Sequence, residues 1–194
     1  MTRDQAYQTL TTLISNENLI KHHLACEAAM KAIYEYIQRR DKKLIDEQEE
    51  KDWGIVGLLH DADYELTKGH PEKHTLVLEQ KIGKELPPEL MYAIKAHNYK
   101  FSKANPLSNL DWAIYTCDEL TGLIIAATLV HPEKKLSMVD VDFVKKRYNE
   151  KSFAKGADRN QIKLCEKSLG IKLDDFIEIV LSSMQNIAPE LGLA

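Results

Sequence analysis

IVGLLHDADYE, residues 55–65, joins an unbroken apolar run to a histidine and an aspartate, His60 and Asp61. The apolar run predicts a short buried helix over residues 53–61. Neighbouring side chains on a regular helix diverge by about 100°, so both groups can reach one common ligand only where the helix ends or bends. Gly69 and Pro71 follow soon afterwards, which favours such an ending.

Helical periodicity continues on both sides of this segment, and no alternating strand pattern accompanies it. Asn16 or Asn18 is a candidate N-cap for the first helix. The charged residues 39–52 form either a solvated connection or the exposed end of a helix. The other helices are expected over residues 19–37, 72–82, 89–99, 110–130, 139–149, 158–168 and 173–187. The sequence therefore predicts an all-α protein.

The composition restricts the class of protein. With 194 residues, 44% of them hydrophobic and 29% charged, the chain suits one domain with a sizeable core. The formal charge of −4 argues against nucleic acid or a membrane surface as the main partner, because both bind basic faces. Cys26, Cys117 and Cys165 are odd in number and lack a CxxC pair, which is typical of a reducing compartment.

Two segments bear on the cellular location. The N-terminal MTRDQAYQTL lacks the apolar stretch of a signal peptide. The apolar run of residues 112–130 has nearly the length of a membrane span, but it contains Asp118 and Glu119, which would be costly in a bilayer. We therefore expect a buried core helix and a cytoplasmic protein.

Groups able to bind metal ions lie on the apolar faces of at least four predicted helices. The candidates are His22 or His23, His60, Asp61, His74, His97 and Asp118. A single buried histidine is usually a satisfied core residue, but Asp118 has no cationic neighbour at i±3 or i±4, and a buried unpaired carboxylate is strongly destabilising. A shared divalent ion explains the whole set. Imidazoles and carboxylates without a thiolate suit Mn, Fe, Ni, Co or Zn.

These motifs resemble the HD-domain superfamily of metal-dependent phosphohydrolases. The resemblance is carried by LIKH (His22), LLHD (His60 and Asp61) and YTCDELTG (Asp118), and it covers residues 18–130. It favours His22 over His23. It also implies an HD-type helical bundle over residues 1–136 and a C-terminal helical extension over residues 137–194, packed on the same domain.

The resemblance implies one or two divalent ions. Members of the superfamily with two ions add two histidines between the His-Asp pair and the late aspartate. HPEKH and AIKAH place His74 and His97 in that order here, and Asp61 would bridge the two ions. The gap between Asp61 and His74 is short, so His70 stays open as an alternative to His74.

The activity implied by the resemblance is hydrolysis of a small phosphorylated substrate such as a nucleotide. Divalent ions lower the pKa of water and polarise phosphoryl oxygens, and we expect Asp61 to orient the attacking water. Asp63 or Glu65 is expected as a proton donor or as a partner that supports a ligand. A mixed-valence di-iron oxygenase of the same superfamily and a non-catalytic metabolite-binding protein are the alternatives. Candidate contacts for a substrate phosphate are Lys73, Lys95 and the basic segment KSFAKGADR at residues 151–159.

Overall fold

The computed structural model describes every residue from Met1 to Ala194 as helices joined by short connections. The helices are α1 (Arg3–Leu13), α2 (Glu17–Arg40), α3 (Glu47–Leu59), α4 (Tyr64–Thr67), α5 (Leu76–Ile82), α6 (Pro88–His97), α7 (Tyr99–Ser102), α8 (Asn109–Val130), α9 (Val141–Asn149), α10 (Arg159–Leu164), α11 (Leu173–Asn186) and α12 (Ala188–Leu191). A 3-10 turn covers Leu136–Met138, and a π-helical turn covers Cys165–Leu169. There is no strand, so the prediction of an all-α protein is confirmed.

The starts of α2 and α3 are set by side-chain caps. Asn16 is confirmed as the N-cap of α2, because its side chain accepts a hydrogen bond from the N–H two residues later at 2.9 Å. Helix α3 begins at Glu47 rather than at Trp53, because the Asp46 side chain accepts from two backbone N–H groups of the first turn. The charged segment before the apolar run is therefore largely helical.

Helix α1 is absent from the sequence prediction. Thr2 and Gln5 start it through a reciprocal capping box. Its inner face buries Ala6 and Leu10, and the helix packs on α3. This first helix therefore covers the apolar helix that leads to the His-Asp pair.

Helices α2 and α8 form the centre around which the other helices pack. Helix α2 packs on α3, α8 and α11, whereas α8 also packs on α6, α9 and α10. By length and composition alone α8 is able to cross a membrane, but 61% of its apolar window is buried inside the protein. One hydrophobic core extends from Ala6 to Leu193, so residues on both sides of position 136 share it.

Helices α2 and α3 are in close contact at Gly57. A Cβ atom at this position would lie 2.5 Å from the Cys26 carbonyl oxygen, so only glycine permits the contact. Helix α3 then ends at Leu59, with His60 as its C-cap residue. The predicted end of the helix at the His-Asp pair is confirmed, and the close contact places that end beside α2.

Candidate metal centre

The six predicted ligand residues lie in one cluster inside the bundle. Helices α2, α6 and α8 each provide one of them, the end of α3 provides the His-Asp pair, and the turn before α5 provides another. Their ligand atoms form two groups, in each of which all atoms lie within 4.8 Å of one another. The first group is His22, Cys26, His60 and Asp118, and the second is Asp61, His74 and His97.

The second group is centred on one carboxylate oxygen. Asp61 Oδ1 lies 2.9 Å from His74 Nε2 and 3.0 Å from His97 Nε2. The two Nε2 atoms lie 3.0 Å apart. Three polar atoms from three separate parts of the chain therefore meet within a radius that suits a single ion.

Hydrogen bonds on the far edges of these imidazoles orient the Nε2 atoms. His74 Nδ1 donates to Asp63 Oδ1 at 2.7 Å, and His97 Nδ1 donates to the Ile94 carbonyl oxygen. In a neutral imidazole with a protonated Nδ1, Nε2 has a free lone pair. Both Nε2 atoms face the Asp61 carboxylate, so a proton or a metal ion must lie between these three atoms. Metal-binding histidines typically have this arrangement.

The first group contains a buried nitrogen without a partner. His60 Nδ1 donates to the Gly57 carbonyl oxygen at 2.8 Å, which leaves Nε2 as the nitrogen available to an ion. This Nε2 atom is buried and has no hydrogen-bond partner, although buried polar atoms normally have one. Asp118 Oδ1 lies 3.5 Å from it and 3.0 Å from His22 Nε2. An ion bound here would satisfy all three atoms.

The separations between ligand atoms fit metal coordination. Ligands about 2.1 Å from an ion lie about 3.0 Å apart at right angles and about 3.4 Å apart at tetrahedral angles. The second group, with separations of 2.9–3.0 Å, matches the right-angled arrangement. In the first group, Asp118 Oδ1 lies 3.0 Å from His22 Nε2 and 3.5 Å from His60 Nε2, and the tetrahedral value of about 3.4 Å falls between these two distances. These buried and half-buried side chains can therefore hold a metal ion.

The two alternative histidines lie outside both groups. His23 Nδ1 lies 2.9 Å from the Leu58 carbonyl oxygen, and burial holds the pKa of its imidazole well below the usual value. His70 is exposed, and its Nδ1 atom lies 3.2 Å from Glu72 Oε1. Of each pair of alternatives, the structure brings His22 and His74 to the cluster.

The electrostatics of the cluster favour positive charge. Burial opposes protonation of His60, but the neighbouring Asp61 and Asp118 carboxylates and the Cys26 sulfur together outweigh it and raise the pKa of this imidazole to about 9. Burial also opposes protonation of His74, whose hydrogen bonds to Asp61 and Asp63 raise its pKa to about 10. Burial acts to raise the pKa of Asp118, but the adjacent imidazoles hold it well below its usual range.

Asp63 and Glu65 support different parts of the structure. Asp63 is fully buried, and its second oxygen accepts from a backbone N–H of α5 at 2.9 Å, in addition to the bond with His74. Glu65 instead accepts from the backbone N–H groups of Ser15 and Asn16, each at 3.0 Å. Asp63 therefore orients a candidate ligand, whereas Glu65 holds the connection between α1 and α2.

Two cavities at the cluster share Asp118 and Glu119 as lining residues. One, of about 330 Å³, extends to the loop of residues 154–157, and the other, of about 210 Å³, extends to Lys100. Burial and the charge of Asp118 raise the pKa of the Glu119 carboxyl to about 7. The sequence reasoning missed Glu119 as a pocket residue, although its position directly after Asp118 was an available signal.

Arg159 ties down the loop that borders the larger cavity. Its guanidinium donates to four backbone carbonyl groups, those of Tyr148, Phe153, Ala154 and Ala157. Arg159 belongs to the basic segment 151–159, which was expected to contact a substrate phosphate. Its N–H groups instead form hydrogen bonds within the protein. Lys95, another expected phosphate contact, lies 2.9 Å from a carboxylate oxygen of Glu79.

The molecule is thus an all-α protein with a buried His/Asp cluster that can hold a metal ion. The placement of the cluster on the helices is compatible with an HD-like fold. Comparison of the chain with known protein families, with curated proteins and with solved structures found no match.

Proposed function

We propose that the chain is a metal-dependent phosphohydrolase of the HD superfamily that acts on a small phosphorylated substrate such as a nucleotide. The observation that supports this most is the unpartnered Nε2 atom of His60, buried among oriented imidazoles and carboxylates. Divalent ions bound there would lower the pKa of water and polarise a phosphoryl oxygen.

Asp61 has the central place in this proposal because its carboxylate adjoins both groups. Its Oδ1 atom belongs to the second group, and its Oδ2 atom lies 3.9 Å from His60 Nε2 in the first group. We assign it the orientation of the attacking water between the two groups. His22, His60 and Asp118 would hold one ion, and His74 and His97 would hold the other together with Asp61.

The cavities support a small anionic substrate. The larger one, about 330 Å³, falls within the range of small-molecule pockets. Among the lining residues of the two cavities, Lys100 is the only lysine or arginine. Its Nζ atom lies 3.5 Å from Asp158 Oδ2, with 56% of the lysine side chain exposed. Exposed pairs of this kind are weak, so a substrate phosphate can compete for the ammonium group.

The test combines metal analysis with phosphate release. Protein loaded with Mn²⁺, Co²⁺, Ni²⁺, Fe²⁺ or Zn²⁺ is incubated with a panel of phosphomonoesters, phosphodiesters and nucleotides. The expected result is phosphate release by the wild type and by His70→Ala, whose histidine lies outside the cluster, and none by Asp61→Ala. The Asp61→Ala protein also reveals any contaminating phosphatase.

Two results would count against this proposal. Ion-loaded wild type that releases no phosphate from any compound would contradict the hydrolase function. Native protein without any metal, whose stability is unchanged by a chelator, would favour a non-catalytic metabolite-binding protein instead.

The adjacency of the two groups favours a mixed-valence di-iron oxygenase as the other candidate function. Imidazole and carboxylate ligands suit iron, and the Asp61 carboxylate adjoins both groups, as a ligand shared by two irons would. Anaerobic loading with iron, followed by controlled oxidation and electron paramagnetic resonance, tests it. A coupled di-iron signal would support the oxygenase, and a spectrum without one would leave the hydrolase favoured.

A further inference from the structure

A thiol lies within the first group of candidate ligands. Cys26 follows His22 by one helical turn on α2, so both side chains occupy the same face of the helix. Its Sγ atom lies 3.8 Å from His22 Nε2, and the residue is fully buried. The sequence reasoning had assumed a site without a thiolate, because no CxxC pair marks this cysteine.

The ligand atoms of the first group converge on a common point that includes this sulfur. Sγ of Cys26 and the ligand atoms of His22, His60 and Asp118 all lie within 4.8 Å of one another. The Asp61 carboxylate belongs to the other group. Independently of the cysteine, the unpartnered and fully buried His60 Nε2 atom faces this point. We propose that Cys26 is a metal ligand, and that it completes a Cys-His-His-Asp site with the other three residues.

The distances agree with a tetrahedral ion. Bonds of about 2.3 Å to sulfur and about 2.0 Å to nitrogen put those two ligand atoms about 3.5 Å apart at the tetrahedral angle. The observed separation between Cys26 Sγ and His22 Nε2 is 3.8 Å. A small movement of the cysteine side chain closes the difference, because Sγ makes only weak contacts, with the His22 ring at 3.8–3.9 Å and with Thr121 Oγ1 at 3.3 Å.

The charges of this site also balance. On binding, the Cys26 thiol loses its proton to solvent and the sulfur forms a bond to the ion. One thiolate and one carboxylate then neutralise a divalent cation, and the two imidazoles bind it in their neutral, deprotonated form. A thiolate ligand selects borderline or soft ions such as Zn²⁺, Fe²⁺ or Co²⁺ over Mg²⁺ and Ca²⁺.

This inference rests on the metal-binding part of the proposed function and is independent of phosphate release. Cobalt(II) is the probe, because a cobalt–thiolate bond adds a strong near-ultraviolet charge-transfer absorption to the visible bands of the bound ion. The wild type, Cys26→Ser, Cys26→Ala and Cys117→Ser are compared. Cys117 is the matched control, since it is equally buried, adjoins Asp118 in sequence and lies outside the group.

The expected result is a charge-transfer band in the wild type and in Cys117→Ser that is lost in both Cys26 variants. Visible cobalt bands and helical circular dichroism should be retained, and cobalt affinity should fall by at least about tenfold. Visible bands without a charge-transfer band in the wild type would overturn the thiolate ligand alone. A band that persists in Cys26→Ala, or that disappears in Cys117→Ser, would also overturn it. Wild type that binds no cobalt at all would overturn both this site and the metal basis of the proposed function.

Discussion

Asp63 Oδ1 lies 2.7 Å from His74 Nδ1, on the edge of the imidazole opposite to the nitrogen that faces Asp61. Asp63 is fully buried, and its other oxygen accepts from the backbone N–H of Leu78. The carboxylate is therefore held from both sides and fixes which nitrogen of His74 faces the candidate ion site.

Replacing Asp63 with Asn is expected to weaken ion binding in the second group. An amide side chain has one acceptor oxygen where the carboxylate has two, so one of the two donors loses its partner. Loss of such a supporting bond typically lowers metal affinity by about 10–100-fold, and a buried unsatisfied donor costs about 1–3 kcal/mol of unfolding free energy. Calorimetric titration with Mn²⁺ and urea unfolding measure the two effects.

The control for this variant is Glu65→Gln. Glu65 contacts Ser15 and Asn16 rather than a candidate ligand, so ion affinity should stay at the wild-type level. An Asp63→Asn protein with wild-type affinity would remove Asp63 from the support of the site.

Thr121 is expected to orient His22 in the first group. Its hydroxyl donates to the Asp118 carbonyl oxygen at 2.8 Å, so its oxygen is left to accept from His22 Nδ1 at 3.3 Å. Thr121→Val keeps the shape and removes the acceptor, and we expect about tenfold weaker binding of the ion. Thr121→Ser keeps the acceptor and should bind as the wild type does. Equal affinities of the Val and Ser variants, measured by competition with a chromogenic chelator, would contradict this role.

Ion binding is expected to release protons at neutral pH. The pKa of His60 is raised to about 9 and that of His74 to about 10, whereas metal-binding imidazoles must be deprotonated. The apparent affinity should therefore rise from pH 7 towards pH 9. Calorimetric titrations in buffers of different ionisation enthalpy count the protons released. Binding without any buffer dependence would show that these imidazoles are not the ligands.

The same shifts predict how the stability of chelator-treated protein depends on pH. Both folded pKa values lie above the ordinary value of 6.5. Their contribution to the free energy of unfolding is therefore fully present below about pH 6.5 and is lost as the pH rises through the folded values. The melting temperature should fall between about pH 6.5 and pH 10. Saturation with Zn²⁺ should reduce this fall, and an identical fall with and without the ion would contradict the prediction.

The contact between α2 and α3 is expected to tolerate no side chain at Gly57. An added Cβ atom would lie 2.5 Å from the Cys26 carbonyl oxygen and 2.8 Å from the backbone nitrogen of Glu27. These are backbone atoms of α2, which cannot shift without disturbing the helix. Gly57→Ala should therefore lower the free energy of unfolding by about 1–3 kcal/mol. Gly122→Ala is the control, since that Cβ would meet nothing within 4 Å. It should be neutral or stabilise α8 by up to about 1 kcal/mol, as measured by urea unfolding.

Arg159 is expected to control the order of the neighbouring loop. Arg159→Gln removes most of the bonds to the four carbonyl groups, so trypsin should cleave faster after Lys155 in that loop. Lys145→Gln, which removes an exposed ion pair with Asp174, should leave that cleavage rate unchanged. Mass spectrometry follows the Lys155 site alone. Equal cleavage rates in Arg159→Gln and the wild type would show that other contacts hold the loop.

Local signals in the sequence were sufficient for the fold class and for several element ends. The Asn16 cap and the end of α3 at the His-Asp pair depend on residues that lie next to each other in the chain. Helix α1 and the first turns of α3 escaped prediction because few of their residues are buried, and their caps lie in polar sequence. Helix α5 starts later than expected because Thr75, with φ of 70°, interrupts the helical path.

The site was predictable only in part, for a geometric reason. Periodicity places both His22 and His23 beside the apolar stripe of α2, and only packing against the neighbouring helices distinguishes them. Cys26 joins the cluster through a contact with Thr121, far away in sequence. Such proximity between distant segments leaves no trace in the spacing of either one.

The loop fastened by Arg159 belongs to a different stretch of the chain from every candidate ligand. Substitutions at residues 154–157 would therefore reshape the larger cavity while the candidate ion-holding residues stay as they are. Under the proposed function, a library confined to that loop would change which substrates are accepted without changing the candidate metal ligands.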